Sequence, residues 1–224
     1  MSTYLLLGLA FAAAIVDWAA VAKGWRRVEL VCKPATLILL FAWLFVQTRL
    51  QGVLLWFGLG LLFSLAGDVL LMFSDRWFVL GLAAFLLAHL GYIAGFNIPM
   101  PNVSPLWSLG MAVVLGLGAA RLLRRITDGL AAKNLRRLTG PLLLYGMVIT
   151  IMLLSALLTT MRTDWKAGAS LLVSAGAVLF YFSDGILAWN KFVNPIRNGR
   201  AINMIAYHLG QILLIAGAAA QFGK

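Results

Sequence analysis

The sequence predicts an all-α polytopic membrane protein with eight transmembrane helices, on three observations. The 224 residues are 62% hydrophobic and only 11% charged, with a mean hydropathy of +0.95, whereas soluble domains are about half apolar and a quarter charged. The apolar residues run continuously instead of alternating, which excludes β-barrel strands. Eight stretches approach the ~20 apolar residues that a helix needs to cross a bilayer. We expect one transmembrane domain over residues 1–224.

The eight predicted spans follow one another with short loops between them. The second has the shortest clean apolar run and must begin before Lys33 and Pro34 to be long enough. The first lacks a basic segment before its apolar run, so we expect an anchor rather than a cleaved signal. The spans are Thr3–Ala22, Val28–Val46, Val53–Phe73, Phe78–Ile98, Pro105–Leu122, Leu138–Thr159, Ala167–Trp189 and Ala201–Phe222.

The distribution of basic residues predicts the orientation. Loops one, three, five and seven hold 14 of the 18 Lys and Arg residues, and the rest of the chain holds the other 4. Because cytoplasmic loops are enriched in Lys and Arg, these four loops are expected inside and both termini on the non-cytoplasmic side. The basic run Arg121–Arg137 fits this role in topology, with lipid headgroup binding as the alternative. The net charge of +11 thus indicates a membrane surface rather than nucleic acid.

A four-plus-four parallel repeat is one interpretation of a short internal similarity. The sequence His-Leu-Gly occurs at residues 89–91 and again at 208–210. Each copy follows an acidic residue of the preceding span, Asp68 in one half and Asp184 in the other. Four helices per unit would make the two halves parallel rather than inverted.

Ionisable side chains within apolar spans are the strongest indicators of function, since a charged group at mid-bilayer costs ~2.5–3.5 kcal/mol and needs a partner or a wet cavity. Asp68 and Asp184 each lie beside a small residue that permits close helix approach and are expected about one turn from a cytoplasmic helix end. Asp17 is interpreted as snorkelling or pairing with Lys23. Four acids lie in or near loops, and no function is predicted for them: Glu29, Asp75, Asp128 and Asp164.

Further polar residues are expected in the same cytoplasmic half, which predicts one chamber open to the cytoplasm. Tyr145, Tyr207 and His208 are expected ~10 Å inside their spans, with Gln211 one turn beyond Tyr207. His89 and Tyr92 are expected deeper, near the midplane. The alternative for the two histidines is hydrogen bonding between helices, and the alternative for Tyr145 and Tyr207 is an interfacial position.

Two carboxyl groups in one partly dry site divide into an acid and a base, which suits hydrolysis of an acid-labile ether or acetal-type bond. Neither a Gly-x-Ser-x-Gly elbow nor a His-Glu-x-x-His motif occurs, which argues against a serine lipase or a zincin. A proton-coupled transporter is the alternative. A third interpretation is a metal-dependent lipid hydrolase using His89, His208 and the two Asp, against which the expected depth of His89 argues.

Four segments carry a family resemblance: Gly67–Leu71, Phe85–Tyr92, Phe182–Phe192 and Tyr207–Gln211, with Lys33-Pro34 before them. In this order they resemble the YhhN family of eight-span membrane proteins, which includes the lysoplasmalogenases. The block Ser-Asp-x-x-Leu-Ala-x-x-x-Phe, at residues 183–192, is the most specific part of the match.

The resemblance implies hydrolysis of the vinyl ether bond of lysoplasmalogens, with a lysophospholipid as substrate, membrane lipid as surroundings and no cofactor or metal. The family's catalytic pair maps onto Asp68 and Asp184. A bacterial inner membrane location is expected, with the site toward the cytoplasm. Residues expected to bind substrate or support the acids are Lys33, His89, Tyr92, Tyr145, Ser183, Asn190, Lys191, Tyr207, His208 and Gln211.

Overall fold

The computed structural model describes residues 3–223, and every long element in that range is an α-helix. Eight helices there are long and apolar enough to cross a membrane, which confirms the predicted fold class. They are α1 (Thr3–Lys23), α2 (Arg26–Thr48), α3 (Leu54–Phe73), α4 (Phe78–Phe96), α5 (Pro105–Ala132), α6 (Thr139–Leu158), α7 (Ala167–Phe192) and α8 (Gly199–Phe222).

Seven of the helices form a closed circuit of neighbours. Contacts join α1 to α2, α2 to α3, α3 to α4, α4 to α6, α6 to α7, α7 to α8 and α8 back to α1. Helix α8 also reaches α2 and α3, so it lies against the centre of the bundle. Helix α5 stands outside this circuit against α6 and α7, and it buries few residues. Side chains from α2, α3, α4, α6, α7 and α8 can therefore meet inside the circuit.

Helix α2 is continuous through Pro34 and begins at Arg26, which confirms that the second span starts before Lys33. Proline lacks an amide hydrogen, so it removes one helical hydrogen bond at this place. The early start adds a polar first turn to α2, and Lys33 lies within the helix beyond that turn. Lys33 is 7% exposed, so its ammonium group is buried in the bundle.

Helix α5 differs most from prediction, because it continues to Ala132 instead of ending at Leu122. The added turns are amphipathic: Ile126 and Leu130 are buried, while most of the arginines on the other side are exposed. Both apolar residues belong to a small core with Phe192 of α7. The predicted span ended where the arginines begin, because hydropathy falls there. Packing on α7 stabilises the helix well past that point. Much of the run from 121 to 137 is therefore helix rather than loop.

Helices α7 and α8 make the most extensive contact in the bundle, and glycines permit it. A methyl group on Gly176 would lie 2.5 Å from the backbone nitrogen of Leu214, and one on Gly210 would lie 2.9 Å from that of Phe180. This close packing fixes the position of Asp184 on α7 relative to Tyr207 on α8.

Replacing Gly176 with Ala is therefore expected to lower the stability of the bundle by about 1–3 kcal/mol, because the added methyl group pushes two backbones apart. Thermal unfolding in detergent measures the change. Gly168→Ala is the matched control on the same helix, since nothing lies within 4 Å of a methyl group there. Equal unfolding temperatures for the two variants would contradict this account of the α7–α8 contact.

The two His-Leu-Gly segments meet through the residues that follow them. The Tyr92 hydroxyl donates a hydrogen bond of 2.8 Å to the amide oxygen of Gln211. Both residues stand three positions after the histidine of their segment, His89 in α4 and His208 in α8. The parallel repeat itself remains a prediction.

Candidate active site

Asp68 and Asp184 line one cavity of about 620 Å³ between α2, α3, α7 and α8. The sequence predicts such a shared chamber, and the two acids reach it from different helices. Of the other residues named from the sequence, Lys33, Ser183, Asn190, Lys191 and Tyr207 also line it. The remaining lining residues are Arg26, Glu29, Leu71, Met72, Phe85, Leu187, Pro195, Ile196, Asn198, Gly199, Arg200, Asn203 and Met204.

Asp68 is 1% exposed and is held by two partners. The Lys33 ammonium nitrogen lies 3.0 Å from Oδ1, and the Tyr207 hydroxyl donates a hydrogen bond of 2.7 Å to Oδ2. Gly67 permits this arrangement, because a methyl group there would lie 2.5 Å from the ring of Phe85 on α4. The ammonium group and the phenol donor both favour the ionised carboxylate, whereas its burial opposes ionisation.

Asp184 has different surroundings and is more open, with 14% of its side chain exposed. The Tyr145 hydroxyl donates a short hydrogen bond to Oδ2. The ring nitrogen Nε2 of His89 lies 3.0 Å from the Tyr145 oxygen and 3.6 Å from Asp184 Oδ2. The carboxylate of Asp184 thus lies against a phenol and an imidazole, whereas that of Asp68 lies against a Lys ammonium group.

The expectation that His89 lies at a different depth from Asp184 is wrong, because its Nε2 lies 3.6 Å from Asp184 Oδ2. Helix α7 continues to Phe192, three residues past the predicted end of its span. Asp184 is thus eight residues from the helix end, about 12 Å at 1.5 Å per residue, rather than one turn. Asp184 therefore lies farther from the end of α7 than expected, and at this position it is beside His89.

A second, apolar cavity adjoins the polar one. It measures about 60 Å³, lies between α4, α5, α6 and α7, and shares Leu71, Phe85, Asp184, Leu187 and Lys191 with the polar cavity. Leucine, isoleucine and phenylalanine side chains form most of its wall. Asp184 therefore stands where a polar and an apolar chamber adjoin.

His208 and Gln211 lie apart from the polar cavity, as does Tyr92. His208 faces α1, where the Trp18 ring nitrogen donates a hydrogen bond of 3.1 Å to Nδ1. Asp17 Oδ2 lies 4.0 Å from the same nitrogen. Asp17 is 0% exposed, so the interpretation that it snorkels toward Lys23 is wrong.

The metal-dependent interpretation needs both histidines beside both acids, and the structure separates them. His89 accompanies Asp184, whereas His208 accompanies Asp17. Among the side chains that the structure describes, no three of His, Cys, Asp or Glu lie close enough together to hold one metal ion.

Sequence reasoning missed a charged cluster at the cavity mouth. Glu29, for which no function was predicted, is 6% exposed on α2 and pairs with Arg26 at 3.1 Å and with Arg200 at 2.8 Å. Its spacing from Arg26 and Lys33 puts all three on one helix face, which was the available signal. The pairing with Arg200, 171 positions away, had no local signal.

Asn203 was also missed, and it links α8 to the segment that carries Asp184. Its amide nitrogen donates a hydrogen bond of 2.5 Å to the carbonyl of Ser183. The Ser183 hydroxyl in turn donates to the Phe180 carbonyl at 2.8 Å and lies 3.4 Å from Asp184 Oδ1. Asn203 stands four residues before Tyr207 in an apolar span, a spacing that places both on one face of α8.

These features define an eight-helix membrane protein with two acidic side chains in one internal cavity. The YhhN family profile matches residues 28–218, a range that includes both acids and every candidate site residue predicted from the sequence. The chain belongs to the YhhN family, which confirms the resemblance. Asp17 lies before the matched range.

Several curated relatives carry the name lysoplasmalogenase. The mouse protein TMEM86B is 30% identical over 196 residues, which cover 87% of this chain and 76% of the relative. Human TMEM86A is 30% identical over 204 residues, covering 87% and 79%. A Mycobacterium tuberculosis lysoplasmalogenase is 32% identical over 165 residues, covering 72% and 59%. No solved structure matches the chain.

Proposed function

We propose that this protein is a lysoplasmalogenase, an enzyme that hydrolyses the vinyl ether bond of a lysophospholipid to a fatty aldehyde and a glycerophospho-alcohol. One observation carries the proposal: Asp68 and Asp184 line the same cavity in different electrostatic surroundings. Unlike environments divide two carboxyl groups into a proton donor and a charged stabiliser. The names of the relatives agree with this chemistry.

The adjoining cavities suggest how a single-chain lipid binds. The hydrocarbon tail enters the apolar cavity between α4, α5, α6 and α7. The phosphate extends into the polar cavity, whose lining includes Arg26, Lys33 and Arg200. The vinyl ether, which joins tail to headgroup, then lies beside Asp184 at the junction of the two.

Asp184 acts as the proton donor in this account. Its carboxyl proton adds to the vinyl carbon distal to the ether oxygen, and the electron pair of the double bond forms the new carbon–hydrogen bond. The oxygen lone pair then stabilises an oxocarbenium ion. Water adds to that cation and returns a proton to Asp184. The resulting hemiacetal then collapses to the aldehyde: its carbon–oxygen bond to glycerol breaks, its hydroxyl group loses a proton, and the glycerol oxygen gains one. The reaction consumes one water and no oxidant, so it is balanced without a cofactor.

Asp68 remains ionised through these steps and stabilises the developing cation. Lys33 and Tyr207 hold its two oxygens in place, so little reorganisation is needed when positive charge appears. Tyr145, oriented by His89, fixes the carboxyl group of Asp184. Ser183 and Asn203 position the α7 backbone beside it.

The cavity mouth lies at the basic end of the bundle. It includes Arg26, at the start of α2, and the segment 195–200 between α7 and α8. Because basic loops stay inside, we place this mouth in the cytoplasm and both termini outside. In a bacterium the enzyme would then hydrolyse lipids of the inner leaflet of the plasma membrane.

Purified protein should release free aldehyde from a 1-alkenyl lysophospholipid and none from its 1-acyl analogue. An acyl ester has no vinyl carbon to protonate, so the pair separates the proposed reaction from general lysophospholipid hydrolysis. Fatty acid from the acyl lipid would contradict the proposal. Aldehyde from neither lipid, with proton-coupled lipid movement across vesicles, would favour the transporter.

The apolar cavity yields a prediction about chain length. Leu122 of α5 is half-buried in its wall. Leu122→Trp should fill the cavity and raise KM about tenfold for long alkenyl chains while short chains are unaffected, because one large side chain replaces tail contacts worth ~1–3 kcal/mol.

Leu117→Trp is the matched control, since Leu117 lies on the same helix and is 55% exposed. Steady-state kinetics with chains of graded length measure the effect. An equal change for all chain lengths, or an equal change in both variants, would contradict the assignment of the tail to this cavity.

A further inference from the structure

A buried acidic side chain at the cavity mouth has no part in the proposed hydrolysis. Glu29 accepts hydrogen bonds of 2.8 Å and 3.0 Å from one Arg200 nitrogen, and an Arg26 nitrogen lies 3.1 Å from it. The Glu29 side chain is 8% exposed, while those of Arg26 and Arg200 are 49% and 65% exposed. The two cations thus reach solvent on either side of an enclosed carboxylate.

The charged cluster of Arg26, Glu29 and Arg200 lies on the same side of the cavity as Asp68. Arg26, Glu29 and Lys33 occupy one face of α2, and Lys33 contacts Asp68 at 3.0 Å. Glu29 is four residues before Lys33, about 6 Å along the helix. A lysophospholipid with its vinyl ether at the carboxylates extends its phosphate and then its headgroup amine in this direction. The phosphate would then lie beside the two arginines and the amine beside Glu29.

We infer that Glu29 is the residue that selects a primary ammonium headgroup, with Arg26 and Arg200 binding the neighbouring phosphate. The inference rests on the proposed function. In the empty mouth each charge already has an opposite partner. When a phosphoethanolamine zwitterion binds, these partners change. The arginines pair with the phosphate, and the ammonium donates hydrogen bonds to Glu29. No buried charge is left unpaired by the exchange.

A choline headgroup cannot complete this exchange. Its quaternary nitrogen has no N–H group to donate, so the enclosed carboxylate loses its arginine bonds without replacement. Proteins recognise quaternary ammonium groups with aromatic cages. The aromatic residues among those lining the cavity, Phe85 and Tyr207, pack against each other near Asp68 rather than at the mouth. The structure therefore favours ethanolamine over choline.

The test is a headgroup series with one alkenyl chain: ethanolamine, its N-methyl and N,N-dimethyl forms, and choline. In the wild-type protein kcat/KM should fall along the series, by about tenfold from first to last, because the hydrogen bonds to a charged group are lost stepwise. Glu29→Gln should reduce this ratio to about one. Arg200→Gln, the matched control, should lower kcat/KM for every headgroup by a similar factor and keep the ratio.

Equal wild-type rates along the series would overturn the inference while leaving the hydrolase intact, and so would an undiminished ratio in Glu29→Gln. The wild-type series decides the question even if a variant does not fold. Aldehyde from no member of the series would instead overturn the proposed hydrolysis, and the inference with it.

Discussion

Asp184→Asn is expected to lower kcat for aldehyde release by about 10²–10⁴-fold with little change in KM, because the amide cannot supply the proton that the vinyl carbon needs. The neighbouring groups do not replace it. The Tyr145 hydroxyl is directed at Asp184 Oδ2, and His89 stands behind that hydroxyl. Steady-state kinetics in detergent or in vesicles would measure both constants.

Asp17→Asn is the control for Asp184→Asn. Asp17 is also an intramembrane acid with 0% exposure, but it lies beside His208 and Trp18, outside the polar cavity. Its replacement should leave kcat within about threefold of wild type, as expected for a site with no contact to the reacting atoms. A comparable loss of kcat in both variants would show that replacing any buried acid slows turnover, and would contradict a catalytic role specific to Asp184.

The second large effect concerns the ion pair of Asp68 and Lys33. Asp68→Asn should slow turnover by roughly 10²-fold, because the cation that develops on the substrate loses its fixed countercharge. The variant also leaves the Lys33 ammonium group buried without its partner, and breaking such a pair destabilises by about 3–5 kcal/mol. Both kcat and the unfolding temperature should therefore fall.

A double variant separates these two consequences. Asp68→Asn combined with Lys33→Met removes both charges, so most of the lost stability should return while turnover stays slow. Thermal unfolding and kinetics on the same preparations would show the difference. Recovery of turnover together with stability would mean that Asp68 serves folding alone.

The sequence predicted the eight helices well because hydropathy is a local property that bilayer thickness turns into a length. It also indicated Asp68 and Asp184, since acids inside apolar spans are costly and need a common polar site. It failed at α5, where burial of Ile126 and Leu130 against α7 extends a helix through a basic run. That stabilisation comes from tertiary packing, which hydropathy does not report.

The finer structure of the site depends on which helices become neighbours. The partners of Asp68 come from α2 and α8, and those of Asp184 come from α4 and α6. None of these contacts follows from spacing along the chain. The pairing of Glu29 with Arg200 joins positions 171 apart for the same reason.

The central claim is that Asp68 and Asp184 act on one substrate in one step. The most direct measurement is kcat for aldehyde release in the wild type, Asp68→Asn, Asp184→Asn and the double variant. Residues that act as a unit are strongly non-additive, so the double variant should be about as slow as Asp184→Asn alone. Wild-type turnover in both single variants would contradict the claim, and so would a loss in the double variant equal to the product of the two single losses.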